Sequence, residues 1–404
     1  MSADYSRGKM INYLLLAGIA IGLGFLIGKG THFLKITGVV GYIITGIIIG
    51  PDVLGIIRLT PVEIETMTNL ALGFVAFIIG GELTISLLRK MGKSIIAIII
   101  GESIGAFAVV FLGVYLLTNN LPLAILFAAM APASAPAGTV AVIHEYKAKG
   151  KLTNAILAVV GFDDGLAVLI YAFSIAIVGI LVSSGTFSVS NLVMTPLMEI
   201  GGALLIGAVI GAIFAVILKR LIEREEFIAV TLTAILVTAG LSLLLDVSLI
   251  LSCMAMGMMV INVYPRENRP VFEHIKSISL PIYILFFIIA GINLHLGLML
   301  TIGAIGIVYI ICRSTGLIGG SYLAALASKA DPVIRNNIGL GILSQAGVAI
   351  GLALLASQKL ASLGMPEVGT IIVTTIAATT IVFEVIGPLS ARIALSRAGE
   401  TSRR

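Results

Sequence analysis

Residues 159–168 read Val-Val-Gly-Phe-Asp-Asp-Gly-Leu-Ala-Val, and the adjacent acids Asp163 and Asp164 decide how the whole chain is read. They lie inside an apolar run covering about 153–182. As one helix rising 1.5 Å per residue, such a run crosses the roughly 30 Å hydrocarbon core of a bilayer. The acids then fall about 18 Å from one end, at a depth where an ionised side chain costs about 2.5–3.5 kcal/mol on insertion scales. Either the run is not a span or its acids have a use. The rest of the chain removes the first option: 59% of the 404 residues are hydrophobic and only 11% are charged, against about 45–50% and 25% in soluble domains. Too few charged groups remain to coat a water-facing surface, so the sequence specifies an all-α polytopic membrane protein.

Working outward from span 6, apolar runs separated by Gly, Pro and charge clusters give thirteen spans, at about 11–28, 36–56, 67–88, 94–118, 121–143, 153–182, 196–218, 227–245, 248–263, 274–293, 298–327, 335–358 and 367–395. Basic residues resist translocation and mark the cytoplasmic side. One face collects Lys29, Lys35, Arg89, Lys90, Lys93, Lys147, Lys149, Lys151, Lys219, Arg220, Arg224, Arg266, Arg269, Lys276, Lys329, Arg335, Arg392, Arg397, Arg403 and Arg404. The other holds only Arg7, Lys9, Arg58 and Lys359. The N-terminus is therefore expected outside and the C-terminus inside. The formal charge of +5 reports this topology rather than a nucleic-acid partner; the partner is the lipid bilayer. The polar stretch Met1 to Lys9 precedes an apolar run too long for a signal-peptide core and without a clear small-residue cleavage site, so span 1 reads as retained. Cys253 and Cys312 both sit in apolar stretches, which removes a disulfide framework and a Cys-based metal site, and no cofactor is implied.

Six charges fall within spans: Glu82, Glu102, Asp163, Asp164, Arg313 and Glu384. A structural ion pair locking two helices is one reading of Glu82, Glu102 or Glu384. For the Asp pair it is weaker. Neighbouring helical residues diverge by about 100°, so a single cation neutralises one acid and leaves the other needing a proton or a metal cation. Arg313, about fifteen residues into span 11 from the opposite side, reaches a similar depth, and Asp163 and Glu102 compete as its partner. Span 5 contains Ala-Met-Ala-Pro-Ala-Ser-Ala-Pro-Ala-Gly-Thr, with Pro132, Ser134, Pro136 and Gly138. Each proline removes a donor and clashes with the preceding turn. Beyond an ordinary kink, two prolines predict an unwound centre whose free carbonyls, with the Ser134 hydroxyl, face a cation. In span 12, Gly339, Gly341, Gly347 and Gly351 flank Ser344 and Gln345. Spans 4–6 and 11–13 lie seven apart and so run antiparallel, the pattern of inverted repeats with two broken helices crossing near the midplane. The pairs Gly18/Gly22, Gly24/Gly28 and Gly207/Gly211 permit close helix approach, within the chain or between copies.

The Asp163-Asp164 pair, the Pro-interrupted span 5, Gly-Tyr-x-x-x-Gly-x-x-x-Gly-Pro at 41–51, Gly-Gly-Glu-Leu at 80–83, Arg313 and Leu-Ser-Gln-Ala-Gly at 343–347 together resemble the monovalent cation:proton antiporter superfamily. The resemblance is strongest to the branch holding bacterial and archaeal sodium/proton antiporters and the membrane part of Kef-type potassium efflux systems, and covers about residues 10–395. It implies a homodimer in which a core domain slides against a dimerisation domain. Residues 1–92 (spans 1–3) and 183–297 (spans 7–10) correspond to dimerisation, 93–182 (spans 4–6) and 298–396 (spans 11–13) to the ion-transport core, and 397–404 to a short cytosolic tail. Asp164 resembles the essential cation and proton carrier, Asp163 its partner, and Arg313 the basic residue that electrogenic members often carry as Lys. Two features depart from the pattern. Kef systems continue into a nucleotide-binding domain, which is not expected here, and many relatives have Asn-Asp or Gln-Asp where this chain has Asp-Asp.

One carboxylate that takes either a proton or a small hard cation couples two fluxes by competition alone. The expected activity is exchange of a monovalent cation, sodium or lithium, for protons across the plasma membrane by alternating access. With Asp163 held by Arg313, the stoichiometry is expected to be one for one and electroneutral. Potassium/proton exchange, electrogenic exchange of two protons per sodium, and a cation channel are the alternatives. Glu82 is expected to line a cytoplasmic funnel, and Glu102, Ser344, Gln345 and Glu384 to be accessory. The chain is not expected to be an enzyme: an intramembrane aspartyl protease needs its two Asp on different helices, and Asp163 and Asp164 share one.

Overall fold

The computed structural model describes residues 13–33, 37–57, 60–86, 92–182, 189–221, 223–265, 269–294, 297 and 303–401. Of the charge pattern, Arg7, Lys9, Lys35, Arg58, Arg89, Lys90, Arg266, Arg403 and Arg404 lie outside these residues, as does the start of the first span at residue 11. Every regular element described is helical. The first group comprises α1 (Tyr13–Phe33), α2 (Gly38–Ile49) and α3 (Pro61–Glu82). The second comprises α4 (Gly92–Thr118), α5 (Leu121–Met130), α6 (Pro136–Glu145), α7 (Lys151–Val160) and α8 (Asp163–Val182). A third runs through α9 (Val189–Leu218), α10 (Arg224–Leu244), α11 (Leu249–Val263), α12 (Arg269–Ile278) and α13 (Leu280–Ile292). The last holds α14 (Gly303–Ala327), α15 (Pro332–Gly341), α16 (Gly347–Ser362) and α17 (Pro366–Arg397).

Among the described residues, 7 helical stretches are long and apolar enough to cross a bilayer, α7 and α8 forming one of them, and the bent pair α12–α13 adds another. Their outer faces leave Leu116 and Leu244 about three-quarters exposed. A helix shows such side chains to its surroundings when those surroundings are hydrocarbon. This is a multi-pass membrane protein.

Glycine lets the helix backbones meet. Gly101 faces Gly320 and Ala324, Gly105 faces Gly316 and Gly320, and Gly113 faces Cys312. Numbers rise along α4 as they fall along α14, so the first helices of the two triplets pack antiparallel. A side chain at Gly320 would collide with the Gly101 carbonyl. Gly46 and Gly291 bring α2 onto α13, and Gly80 and Gly257 bring α3 onto α11. Of the Gly-x-x-x-Gly pairs, Gly207/Gly211 packs on Ser252 to Met259 of α11 and Gly24/Gly28 on Ile284, Ile288 and Tyr42, whereas Gly18 and Gly22 have nothing within 4 Å. Cys253 and Cys312 are free thiols.

Two spans differ from the sequence reading. The helix expected over 274–293 is two segments meeting at 53°. α12 is amphipathic, with Val271, Phe272 and Ile275 buried and Glu273 and Lys276 exposed, and Pro281 in the first turn of α13 restarts the helix in a new direction. Span 6 tightens at Gly161-Phe162, where the Phe162 N–H bonds the Val159 carbonyl at 2.9 Å. The acids consequently open a new helix instead of sitting inside an old one.

Candidate cation site

α5 stops at Met130 and α6 resumes at Pro136, leaving residues 131–135 unwound around Pro132. α15 stops at Gly341 and α16 resumes at Gly347. The two unwound segments meet: the Ala135 N–H donates to the Ser344 carbonyl at 3.0 Å. The approach is tight enough that a side chain at Gly387 would strike Ser344, and one at Gly138 would come within 2.9 Å of the Pro388 ring. α5 and α15 both end at this crossing, and a helix C-terminus carries roughly half a negative charge.

Arg313 of α14 answers them. Fully buried, it donates from Nε to the Ala131 carbonyl at 2.9 Å and from Nη1 to Leu343 at 2.7 Å. Nη2 donates to Ala133 at 2.9 Å and to Ser344 at 3.3 Å. The Phe383 ring lies 4.4 Å from its Cζ. Two expectations are corrected here. Arg313 forms an ion pair with neither Asp163 nor Glu102; no salt bridge among the described residues includes it. The carbonyls released by the break, expected to face a transported cation, are taken by this guanidinium. The reason is donor supply: each buried carbonyl without a partner costs about 1–3 kcal/mol, and only a planar cation with five N–H groups serves four of them at once. Glu102 acts on Arg313 through space, without an ion pair, its Oε1 taken by the Ser103 hydroxyl.

Asp163 is fully buried and has donors on both oxygens: Oδ2 accepts from the Ser134 hydroxyl, and Oδ1 accepts from the Asp164 N–H at 2.7 Å. Both acids occupy the first turn of α8, where the exposed N–H groups and the helix dipole favour negative charge. Asp164 is different. It keeps 6% exposure, and its Oδ1 is buried with no hydrogen-bond partner. It stands within electrostatic reach of Asp163, Glu82, Glu102 and Arg313. The site thus pairs a fully satisfied carboxylate with an unsatisfied one.

The remaining candidates divide between crossing and periphery. Gln345 Nε2 donates to the Met130 carbonyl at 3.1 Å and the Tyr309 hydroxyl at 2.9 Å. Ser344 contributes its carbonyl, while its hydroxyl is buried without a partner. Glu102 accepts from Ser103 at 2.6 Å and leaves Oε2 unpartnered. Glu384, one turn before Gly387, accepts from the Thr37 hydroxyl at the start of α2 and leaves Oε1 unpartnered. Glu82, at the end of α3 and within electrostatic reach of Asp164, is ion-paired with half-exposed Lys276 at 2.8 Å. Pro136 opens α6 and is exposed, whereas Pro132 is buried. Sequence reasoning passed over Tyr309 and Thr139, whose hydroxyl bonds the Gly341 carbonyl at 3.2 Å. Tyr309 was detectable, because it lies one helical turn from Arg313 on the same face.

This geometry meets the comparisons with known proteins. A family model described as "Sodium/hydrogen exchanger, transmembrane" matches residues 16–390. The chain belongs to the sodium/hydrogen exchanger family. Within the family it is 26% identical over 224 residues to Na(+)/H(+) antiporter 1 of Methanocaldococcus jannaschii, a match covering 54% of this chain and 50% of that protein. The chain thus spans about half the length of the curated relative it matches. Among solved structures, this exchanger-family chain resembles the sodium proton antiporter MjNhaP1 of M. jannaschii at pH 8, with a TM-score of 0.72 and 20% identity over 95% of this chain and 98% of that one. An electron-microscopy structure of the same antiporter gives a TM-score of 0.70 and 19% identity over 98% and 100%. These likenesses establish a shared all-helical fold.

Proposed function

We propose that this chain is a secondary antiporter that exchanges sodium or lithium for protons at Asp164. The observation that carries the proposal is the unpartnered Asp164 oxygen beside a neighbour whose two oxygens are both served. A carboxylate this deep cannot stay ionised without a compensating ligand. A proton or a small alkali cation supplies it, and occupancy by one excludes the other. Coupling needs no further device. Each pH unit across the membrane then drives the exchange with about 1.4 kcal/mol.

Charge balance supports one-for-one, electroneutral exchange, by a different route from the ion pair first expected. Arg313 offsets the two helix ends that converge on it, each roughly −0.5. Asp163 is held by neutral donors and the α8 N-terminus. Asp164 is left neutral with either a proton or a monovalent cation aboard. In the same reading the chain forms thirteen spans, N-terminus outside and C-terminus inside, and works as a homodimer in the plasma membrane by alternating access. Residues 93–182 and 298–396 form the moving core, residues 1–92 and 183–297 the dimerisation domain, and 397–404 a cytosolic tail.

The test is dequenching of a pH dye in proteoliposomes, scanned over lithium, sodium and potassium. Wild type is expected to respond to lithium and sodium, and Asp164→Asn to none. Below the carrier's titration range the sodium KM should rise about tenfold per pH unit if one proton competes, and about a hundredfold if two do. An imposed membrane potential should leave the rate unchanged. Retained exchange in Asp164→Asn rejects the carrier, and the steeper slope with potential-sensitive rates rejects the stoichiometry.

A further inference from the structure

A cavity of about 830 Å³ opens on the face that the charge pattern puts outside. Its floor includes Tyr171, seven residues along α8 from Asp164, roughly 10 Å at 1.5 Å per residue. Between floor and carrier, Val168, Leu72, Ile79, Ile250 and Val348 line a pocket of about 10 Å³ with no polar lining, and apolar cavities stay dry. The chamber is therefore separated from the carrier by an apolar layer.

Its polar lining is biased toward cations. Glu65, Glu199 and Asp246 face it against the single base Lys359. Acidity alone makes no site, but Asn69 adds an independent observation. One turn along α3 from Glu65, it is 93% buried by its 7% exposure, lines the chamber, and its Oδ1 is unpartnered. An amide oxygen without a donor, one helical turn from a carboxylate, is an arrangement of hard oxygens that suits an alkali cation. Lys359 already stands among the acids, 3.9 Å from Asp246, with both side chains exposed.

We propose that the chamber is a loading site for an alkali cation, held at Asn69 Oδ1 beside the Glu65 carboxylate and drawn in by Glu199 and Asp246, and that Lys359, the counter-charge of those two acids, competes with the ion. The site deepens the antiporter reading by giving the cation a station before the carrier. It rests on that reading for its purpose but not for its chemistry.

The test uses purified full-length Asp164→Asn protein, so that the carrier is silent. Its thermal unfolding midpoint is measured in sodium chloride against choline chloride at equal ionic strength. Sodium is expected to raise the midpoint above choline, with saturation. Adding Glu65→Gln with Glu199→Gln, both at the chamber wall, should abolish the difference, and Asn69→Leu should reduce it. Lys359→Gln should lower the sodium concentration for half-effect several-fold. A midpoint equal in sodium and choline overturns the proposal, as does a sodium effect that survives Glu65→Gln/Glu199→Gln. Wild-type vesicles that fail to exchange would reject the antiporter reading while leaving a sodium-specific shift in Asp164→Asn intact, so the two failures are distinct.

Discussion

Arg313 is fully buried and makes all its hydrogen bonds to main-chain carbonyls, and this changes what its neighbours should do when altered. If it were the salt-bridge partner of Asp163, removing either charge would strand the other at about 3–5 kcal/mol. With the observed bonding, Asp163→Asn leaves Arg313 fully bonded and retains an oxygen for one of its own two donors. Arg313→Lys, by contrast, replaces a planar fork by a point charge with three donors and should destabilise by about 2–3 kcal/mol. A double-mutant cycle of the two substitutions, read by thermal unfolding in detergent, is expected to give a coupling under about 1 kcal/mol. Coupling near the buried-pair value would restore the ion pair and with it the original charge count.

At the scale of elements, the helix breaks were legible because proline and glycine act on their own backbone. Pro132 and Pro136 announced the gap between α5 and α6, and the glycines around Ser344 announced the gap between α15 and α16. What fills the gaps was not legible. The partners of Arg313 are carbonyls of Ala and Leu, and no residue type advertises a free carbonyl. The same holds for the interruption before α8, where one glycine, Gly161, was the entire signal. α7 is the extreme case. Its N-cap position is Gly150, which has no side chain to cap with. The missing acceptor comes from Glu400, whose carboxylate takes the Leu152 and Thr153 N–H groups and the Thr153 hydroxyl, each at 2.7 Å. A capping acid some 250 residues away leaves no local pattern. Glu400→Ala should therefore act as a lost N-cap, lowering stability by about 1–2 kcal/mol, and Glu400→Gln, which keeps one acceptor oxygen, by less. Thermal midpoints of the purified variants check both, and no change in Glu400→Ala would mean that α7 is capped otherwise.

For the whole molecule, the question is which contacts must break if residues 93–182 and 298–396 move as one body. Contacts within that body are built to persist: Lys151 bonds Asp331 at 2.7 Å, and the Ser94 hydroxyl bonds the Ser328 carbonyl at 3.1 Å. The Thr37–Glu384 hydrogen bond is different, because it ties α2 to α17 across the proposed boundary. Cys253 and Cys312 are replaceable in the background, being free thiols with no disulfide to lose. In that background, Thr37→Cys with Glu384→Cys, bridged by a short bifunctional thiol reagent, should stop sodium-driven dye dequenching, and reductant should restore it. The same reagent on Ser94→Cys with Ser328→Cys joins α4 to the end of α14 inside one body and should leave the rate within about twofold of the unbridged protein, a difference under roughly 0.5 kcal/mol in barrier. Exchange that continued through a bridged Thr37→Cys/Glu384→Cys pair would mean that α2 travels with α17. The boundary between the moving and fixed bodies would then have to be drawn elsewhere.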